Sequence, residues 1–309
     1  MMERDLRLDG LKFFLIFLVV LGHLHFNDYG IWIGYYIYSF HMPVFVLLSG
    51  FFSSANTKKE KRNAWVKQTL IIFVCAQIAH IILSFILNKP ITWKVLITPC
   101  YTLWYLVCLI YWRLFLWAVN NKCKDSILLL ASFILLILCG FVPINQEFSF
   151  QRTFSFFPYF ILGFLLKKNG MMNRIEAIPI QVAILFLIME LIVARFLPLY
   201  MPRTYFHSLN DALIRVSQTI LGVALCLSII RLSRIRYWEY VAKYGKYTLW
   251  IYIGHSYLIL IIRKLFPYYG ITLNVFEAII IALLICIFFI LLAKSFERIK
   301  ERRVFLTSF

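Results

Sequence analysis

The sequence predicts an all-α polytopic membrane protein with about ten transmembrane helices, and three observations carry that reading. The chain is 62% hydrophobic and 15% charged, with a mean hydropathy of +0.82. A soluble domain would carry roughly 25% charged residues. The apolar residues gather in stretches of about 20, the length that crosses a hydrocarbon core as a helix. The connections alternate between rich and poor in Lys and Arg, as the cytoplasmic bias of basic residues requires.

The first apolar segment, residues 11–26, follows the charged opening RLDGLK. A short NDYG turn leads to the second, 31–52, so the two are expected to pack as an antiparallel pair. The solvated basic loop 53–64, SSANTKKEKRNA, precedes the third, 65–87. The fourth and fifth cover 103–119 and 126–142. The sixth, 154–168, is the weakest, because Pro158 and Gly163 interrupt it. The seventh and eighth cover 178–199 and 212–230. Loop 231–246 mixes Arg and Lys with Tyr237, Trp238, Tyr240 and Tyr244. It reads either as an amphipathic helix along the interface or as an aromatic and cationic anchor. The ninth and tenth segments cover 247–263 and 273–293.

With the N-terminus inside, the inside segments hold 23 of the 32 Lys and Arg and the outside connections hold 7. Arg113 and Arg215 lie within spans. Both termini are therefore expected in the cytoplasm. A surplus facing an anionic leaflet accounts for the net charge of +18, and no nucleic-acid partner is expected. Residues 1–309 read as a single integral-membrane domain, with no internal repeat and no low-complexity tail. No cleavable signal peptide is expected. The seven cysteines form no CxxC pair, so they suggest neither a metal site nor a disulfide framework.

Titratable side chains near the middle of a bilayer are costly and default to a functional hypothesis. His23 lies ~18 Å from Leu11 at ~1.5 Å rise per residue, and His41 lies ~17 Å from Phe52. His255 lies ~14 Å from Lys246 by the same rise. Three histidines at similar depth suggest a shared polar cavity, against the alternative of packed helix–helix hydrogen bonds. Lys12 shares a face with His23 about three turns away. It is either a snorkelling anchor or the site that takes the charged end of an elongated anionic ligand. Arg113, with no acid in its own span, either snorkels to the cytoplasmic face or faces a wet cavity, where it would clamp a phosphate. Arg152 with Glu147 would bind a sugar hydroxyl or form a surface ion pair. Trp104 and Tyr105 would stack on a sugar ring or serve as belt aromatics. Asp9 pairs locally with Lys12 or Arg7, orients a catalytic histidine only if the first helix is shifted, or, the favoured reading, caps the helix; Ser49 with Gly50 reads as close packing between helices rather than as a nucleophile, since no GxSxG elbow is present. His25 points to a different face from His23 and reads as a lumenal-side or packing histidine; His80 shows no partner in the sequence, and His207 falls in an outside loop.

RLDGLKFFLIFLVVLGH resembles the opening of the integral-membrane acyltransferase family three, which includes bacterial O-acetyltransferases of surface polysaccharides. The family signature is a basic residue, ten residues, then histidine; here the pair is Lys12 and His23. Many members carry arginine at the basic position, and lysine keeps the charge but loses the bidentate fork. SFHMPVFVLLSGFF, with His41, Pro43, Ser49 and Gly50, resembles the fucose-4-O-acetylase-like branch. LWYLVCL at 103–109, FFPYFILGFLLKK at 156–168 and GKYTLWIYIGHSYLI at 245–259 recur in the same order along the family.

The resemblance implies a multi-pass O-acetyltransferase of the cell inner (plasma) membrane, with acetyl-CoA as acyl donor and a carbohydrate acceptor in the cell envelope. On that reading His23 and His41 are catalytic, and Lys12 and Arg113 hold coenzyme A. His255, Trp104, Tyr105, Arg152 and Glu147 bind the acceptor, and no metal takes part. The partners expected are the carbohydrate, the bilayer and either a second copy of the chain or an accessory envelope protein. A transporter of a polysaccharide or lipid-linked sugar, and a subunit that moves acyl groups for a separate transferase, are the alternatives. A histidine base predicts activity that falls below about pH 6.

Overall fold

The computed structural model describes residues 5–24, 31–119, 122–143, 146–196, 205–235 and 238–306. Among them every regular element is a helix and none is a strand. A spanning chain finds no water in hydrocarbon and must satisfy its backbone within helices. In chain order these are α1 (Leu6–His23), α2 (Ile31–Phe51), α3 (Lys59–Ile86), α4 (Trp104–Val119), α5 (Asp125–Gly140), α6 (Phe150–Ser155) and α7 (Phe157–Lys168). They continue with α8 (Met172–Glu176), α9 (Ile180–Phe196), α10 (Leu209–Ser233), α11 (Trp238–Val241), α12 (Thr248–Tyr268) and α13 (Val275–Leu306). Among the described residues, Lys59–Ile86, Leu209–Ser233, Trp238–Tyr268 and Val275–Ile299 are long and apolar enough to cross a membrane. Shorter apolar helices cover Trp104–Val119, Asp125–Gly140 and Ile180–Val193. The NDYG turn, His25, Arg203 and Tyr237 lie outside the described residues.

Helix ends depart from the apolar runs for local reasons. α1 starts at Leu6 because Asp5 caps it, accepting from the amides of Arg7 (3.1 Å) and Leu8 (3.3 Å). The cap is therefore Asp5 and not Asp9, which lies one turn in and pairs with Lys12 at 3.0 Å. α1 ends at His23. The sixth segment is two helices: the chain breaks at Phe156, and Pro158 enters the first turn of α7, where its missing N–H is not needed. Gly163 does not interrupt α7.

The chain divides into two compact units, Met1–Tyr38 with Ser233–Phe309, and Ser39–Leu232. The boundary falls inside α2.

In the first unit, the start of α1 is pressed against α11 and the 3₁₀ turn Ala242–Tyr247. A Cβ on Gly10 would lie 2.1 Å from the Trp238 carbonyl oxygen, and one on Gly245 would lie 2.4 Å from that of Asp9. Both glycines are there for backbone approach. Arg7 pairs with Glu239 at 3.0 Å, and Arg234 pairs with Asp5. Loop 231–246 thus contributes a short helix packed on α1, and Trp238 meets Phe14 edge-on at 5.2 Å. α12 leaves this turn and α13 returns antiparallel to it. Lys246 and Tyr247 donate to Glu297 near the far end of α13, at 3.1 and 3.0 Å.

The core of the second unit lies between α4, α5, α6 and α7. Trp112 stacks on Phe160 at 5.4 Å and donates from Nε1 to the Thr153 carbonyl at 2.8 Å. The second half of α2 crosses α7 with the two backbones in contact. A Cβ on Gly50 would lie 1.9 Å from the Phe160 oxygen, and one on Gly163 would lie 1.8 Å from the Leu47 oxygen. Ser49, beside Gly50, donates to the Phe45 carbonyl at 2.9 Å and meets the Tyr105 hydroxyl.

Candidate active site

His23 is the last residue of α1, and the structure brings it against α12 within the first unit. Its ring stacks on that of His255 at 5.6 Å between centroids and 25° between planes. The Tyr38 hydroxyl donates to the Gly22 carbonyl at 2.9 Å and lies 3.2 Å from His23 Nδ1. A phenol carries one proton. Once that proton is on Gly22 O, the His23 contact requires Nδ1 to be the donor, so Nε2 carries the lone pair. His255 Nδ1 lies 2.8 Å from the Ile251 carbonyl, which only accepts, so its Nε2 is also the basic nitrogen. That Nε2 is fully buried with no hydrogen-bond partner.

Arg263 completes this end of α1. Its Nη2 donates to the His23 carbonyl at 2.7 Å, satisfying one of the carbonyls that a helix C-terminus leaves open. α1 and α12 therefore run in the same direction, because the start of α1 meets the turn before α12 and its end meets Arg263. Lys12, on the same helix as His23, is held by Asp9 at 3.0 Å. A charged residue and an imidazole with a basic Nε2 thus stand along one helix, with a second basic imidazole beside the first.

The remaining residues singled out in the sequence belong to the second unit. His41 is 1% exposed there. Arg113 lies over the Trp65 ring at 4.1 Å and donates from Nε to Ser53 Oγ at 3.3 Å, so it turns toward the ends of loop 53–64. Trp104 stacks on Phe156 at 5.3 Å and is covered by the Arg152 guanidinium at 5.0 Å. A sugar ring would reach Trp104 only after Arg152 moved. Tyr105 is half-buried and meets Phe45 edge-on at 6.5 Å. Glu147 pairs with Lys94 at 3.5 Å rather than with Arg152. The chain between them takes left-handed conformations at Phe148 (φ 51°) and Ser149 (φ 57°). The Glu147 carboxylate is held below the usual range by backbone amides, its own and that of Gln146, with Lys94 adding to the effect. His80, whose partner the sequence leaves open, stacks on Tyr101 at 6.1 Å. Among the described residues no group of three His, Cys, Asp or Glu could hold a metal ion.

Three residues escape the sequence reading. Tyr38 looks like any aromatic of an apolar run, and Arg263 looks like an outside-loop cation. Glu190 had a signal, as the lone acid in IQVAILFLIMELIVARF. It is 5% exposed, with one oxygen on the Ser39 hydroxyl and Oε2 unpartnered.

A family model described as an acyltransferase domain matches residues 5–294. The chain belongs to acyltransferase family three. No curated protein and no solved structure matches it. The match runs through both units of the acyltransferase, and Lys12 and His23 both lie within it. The apolar helices and the family together make it a membrane protein.

Proposed function

We propose that the protein is an O-acetyltransferase of the inner (plasma) membrane, moving an acetyl group from cytoplasmic acetyl-CoA to a hydroxyl of a cell-surface polysaccharide or its lipid-linked precursor. On this reading the chain is one functional domain that spans the bilayer about ten times with both termini in the cytoplasm. The observation that carries the reading is the pinned imidazole. The Tyr38 oxygen accepts a hydrogen bond from His23 Nδ1–H, and Nε2 acts as the base.

The chemistry follows from that tautomer. Nε2 takes the proton of the acceptor hydroxyl as its oxygen attacks the thioester carbonyl. A carbon–oxygen bond forms, the carbon–sulfur bond breaks, and the imidazolium returns its proton to the departing thiolate. His255 Nε2, buried and basic, accepts a hydrogen bond from a second acceptor hydroxyl and orients it. His41 serves the oxyanion or the acceptor. Lys12 and Arg113 hold anionic parts of the donor, and Tyr105, Trp104, Arg152 and Glu147 serve the acceptor.

Purified protein in liposomes with radiolabelled acetyl-CoA and a mixed glycan pool tests the proposal. Transfer in wild type that is lost in folded His23→Ala supports it. Glycan flux without any acetyl-CoA turnover, in the presence of every acceptor and partner tried, would instead mark a transporter.

A further inference from the structure

The mechanism above uses only Lys12 of the charged end of the first unit, where α11, the 3₁₀ turn and the last turns of α13 gather around the start of α1. Four carboxylates there are each engaged: Asp5 with Arg234, Asp9 with Lys12, Glu239 with Arg7, and Glu297 with Lys246 and Tyr247. Two ammonium groups stand outside these pairs. Lys243 lies over the Tyr244 ring at 5.1 Å, and Lys294 reaches the same ring at 6.0 Å. Lys294 feels Glu297 only from beyond ion-pair distance. Phe13 packs on Tyr244 at 5.4 Å, which places this ring beside the residue that follows Lys12. Tyr244 is half-exposed and Lys243 exposed.

A partly open aromatic ring flanked by two cations that form no ion pair among the described residues suits a ligand that is both flat and multiply anionic. We propose that Lys243, Tyr244 and Lys294 dock the adenosine 3′-phosphate 5′-diphosphate end of the acyl donor. This rests on coenzyme A being the donor. Lys243 swings off the ring to take a phosphate together with Lys294, and the base stacks on the Tyr244 face it leaves. From Lys12 to His23 the helix rises ~16 Å at ~1.5 Å per residue, a span that an extended pantetheine arm covers. The donor would then lie along α1, with its nucleotide at Tyr244 and its thioester at His23. An anionic lipid headgroup offers the same charge but no flat base.

The test uses the full chain in nanodiscs of neutral phosphatidylcholine, with adenosine 3′,5′-bisphosphate as the probe. Wild type is expected to bind it, with affinity that falls as salt rises. Tyr244→Ala and the double variant Lys243→Gln/Lys294→Gln are expected to weaken binding tenfold or more, with the melting temperature kept. Equal binding by wild type and the double variant overturns the proposal. So does a lysine-dependent gain of phosphatidylglycerol around the protein with no nucleotide bound. Acetyl-CoA turnover measured in parallel separates the two readings. Nucleotide binding without turnover defeats acetyl transfer and leaves the dock. Turnover with an unchanged KM in the double variant defeats the dock and leaves acetyl transfer.

Discussion

At the scale of the residue, the proposed activity hangs on one proton's position. His23→Ala is expected to lower kcat by about 10²–10⁴, the usual contribution of a positioned general base. Tyr38→Phe keeps the ring and removes one hydrogen bond, worth about 1 kcal/mol, so the expected loss is roughly fivefold to tenfold. KM for acetyl-CoA should stay, because the lost hydroxyl acts on the His23 ring and the Gly22 carbonyl and has no assigned part in holding the donor. A Tyr38→Phe enzyme with wild-type kcat would show that the tautomer is not controlled there. The pH sign is also set by the base. Protonation fills Nε2, so activity falls as pH drops below about 6, and a rate that is flat from pH 5 to 8 would remove histidine from the role. His255 was readable in the sequence because a titratable group in an apolar run is rare and its depth could be counted. Tyr38 was not, because its significance lies in a carbonyl and an imidazole that only the fold brings to it. Asp9 was misread as the cap for a related reason: the helix continues through charged residues beyond the apolar run, and Asp5 stands at its true start.

At the scale of the element, close packing is concentrated at a few glycines. Gly50→Ala and Gly163→Ala each press a methyl group onto a carbonyl oxygen of the facing helix, at 1.9 and 1.8 Å. Overpacking of this kind costs about 1–3 kcal/mol, and thermal melting in detergent should show it. Gly22→Ala is the contrast: its nearest neighbour would be Ile37 at 3.5 Å, an ordinary contact, and stability should be kept. If all three variants melted alike, the α2–α7 crossing would not be as tight as described. Helices were legible as elements because hydrocarbon leaves the backbone no alternative. Their ends were not. Lys59 opens α3 six residues before the apolar segment begins, since a helix running into water needs no apolar face. The break at Phe156 was foreshadowed by Pro158, whereas Gly163, a suspected interruption, is a packing residue.

At the scale of the whole molecule, the topology carries its own prediction. Single cysteines placed at Ser54 and Lys89, in a background stripped of the seven native ones, should react from opposite faces of the membrane, Ser54 from inside. Labelling of both from one face would sink the assignment of about ten spans with the N-terminus inside. The charge asymmetry that supports this topology is a property of the entire chain and is visible without any structure. The division into two units is not, because it cuts α2 between Tyr38 and Ser39, inside one apolar run.

The contact of Arg263 with the His23 carbonyl joins residues 240 positions apart. A ribosome adding about 5–20 residues per second needs roughly 12–48 s to travel between them. During that interval the newborn first helix gains Tyr38, 15 residues after His23, while its last carbonyl still lacks Arg263 and its imidazole still lacks the His255 ring. His255 and Arg263 arrive almost together, long after Tyr38, so the proposed site is completed well after its first helix is made. Chains stalled before that point would be inserted, helical and inert.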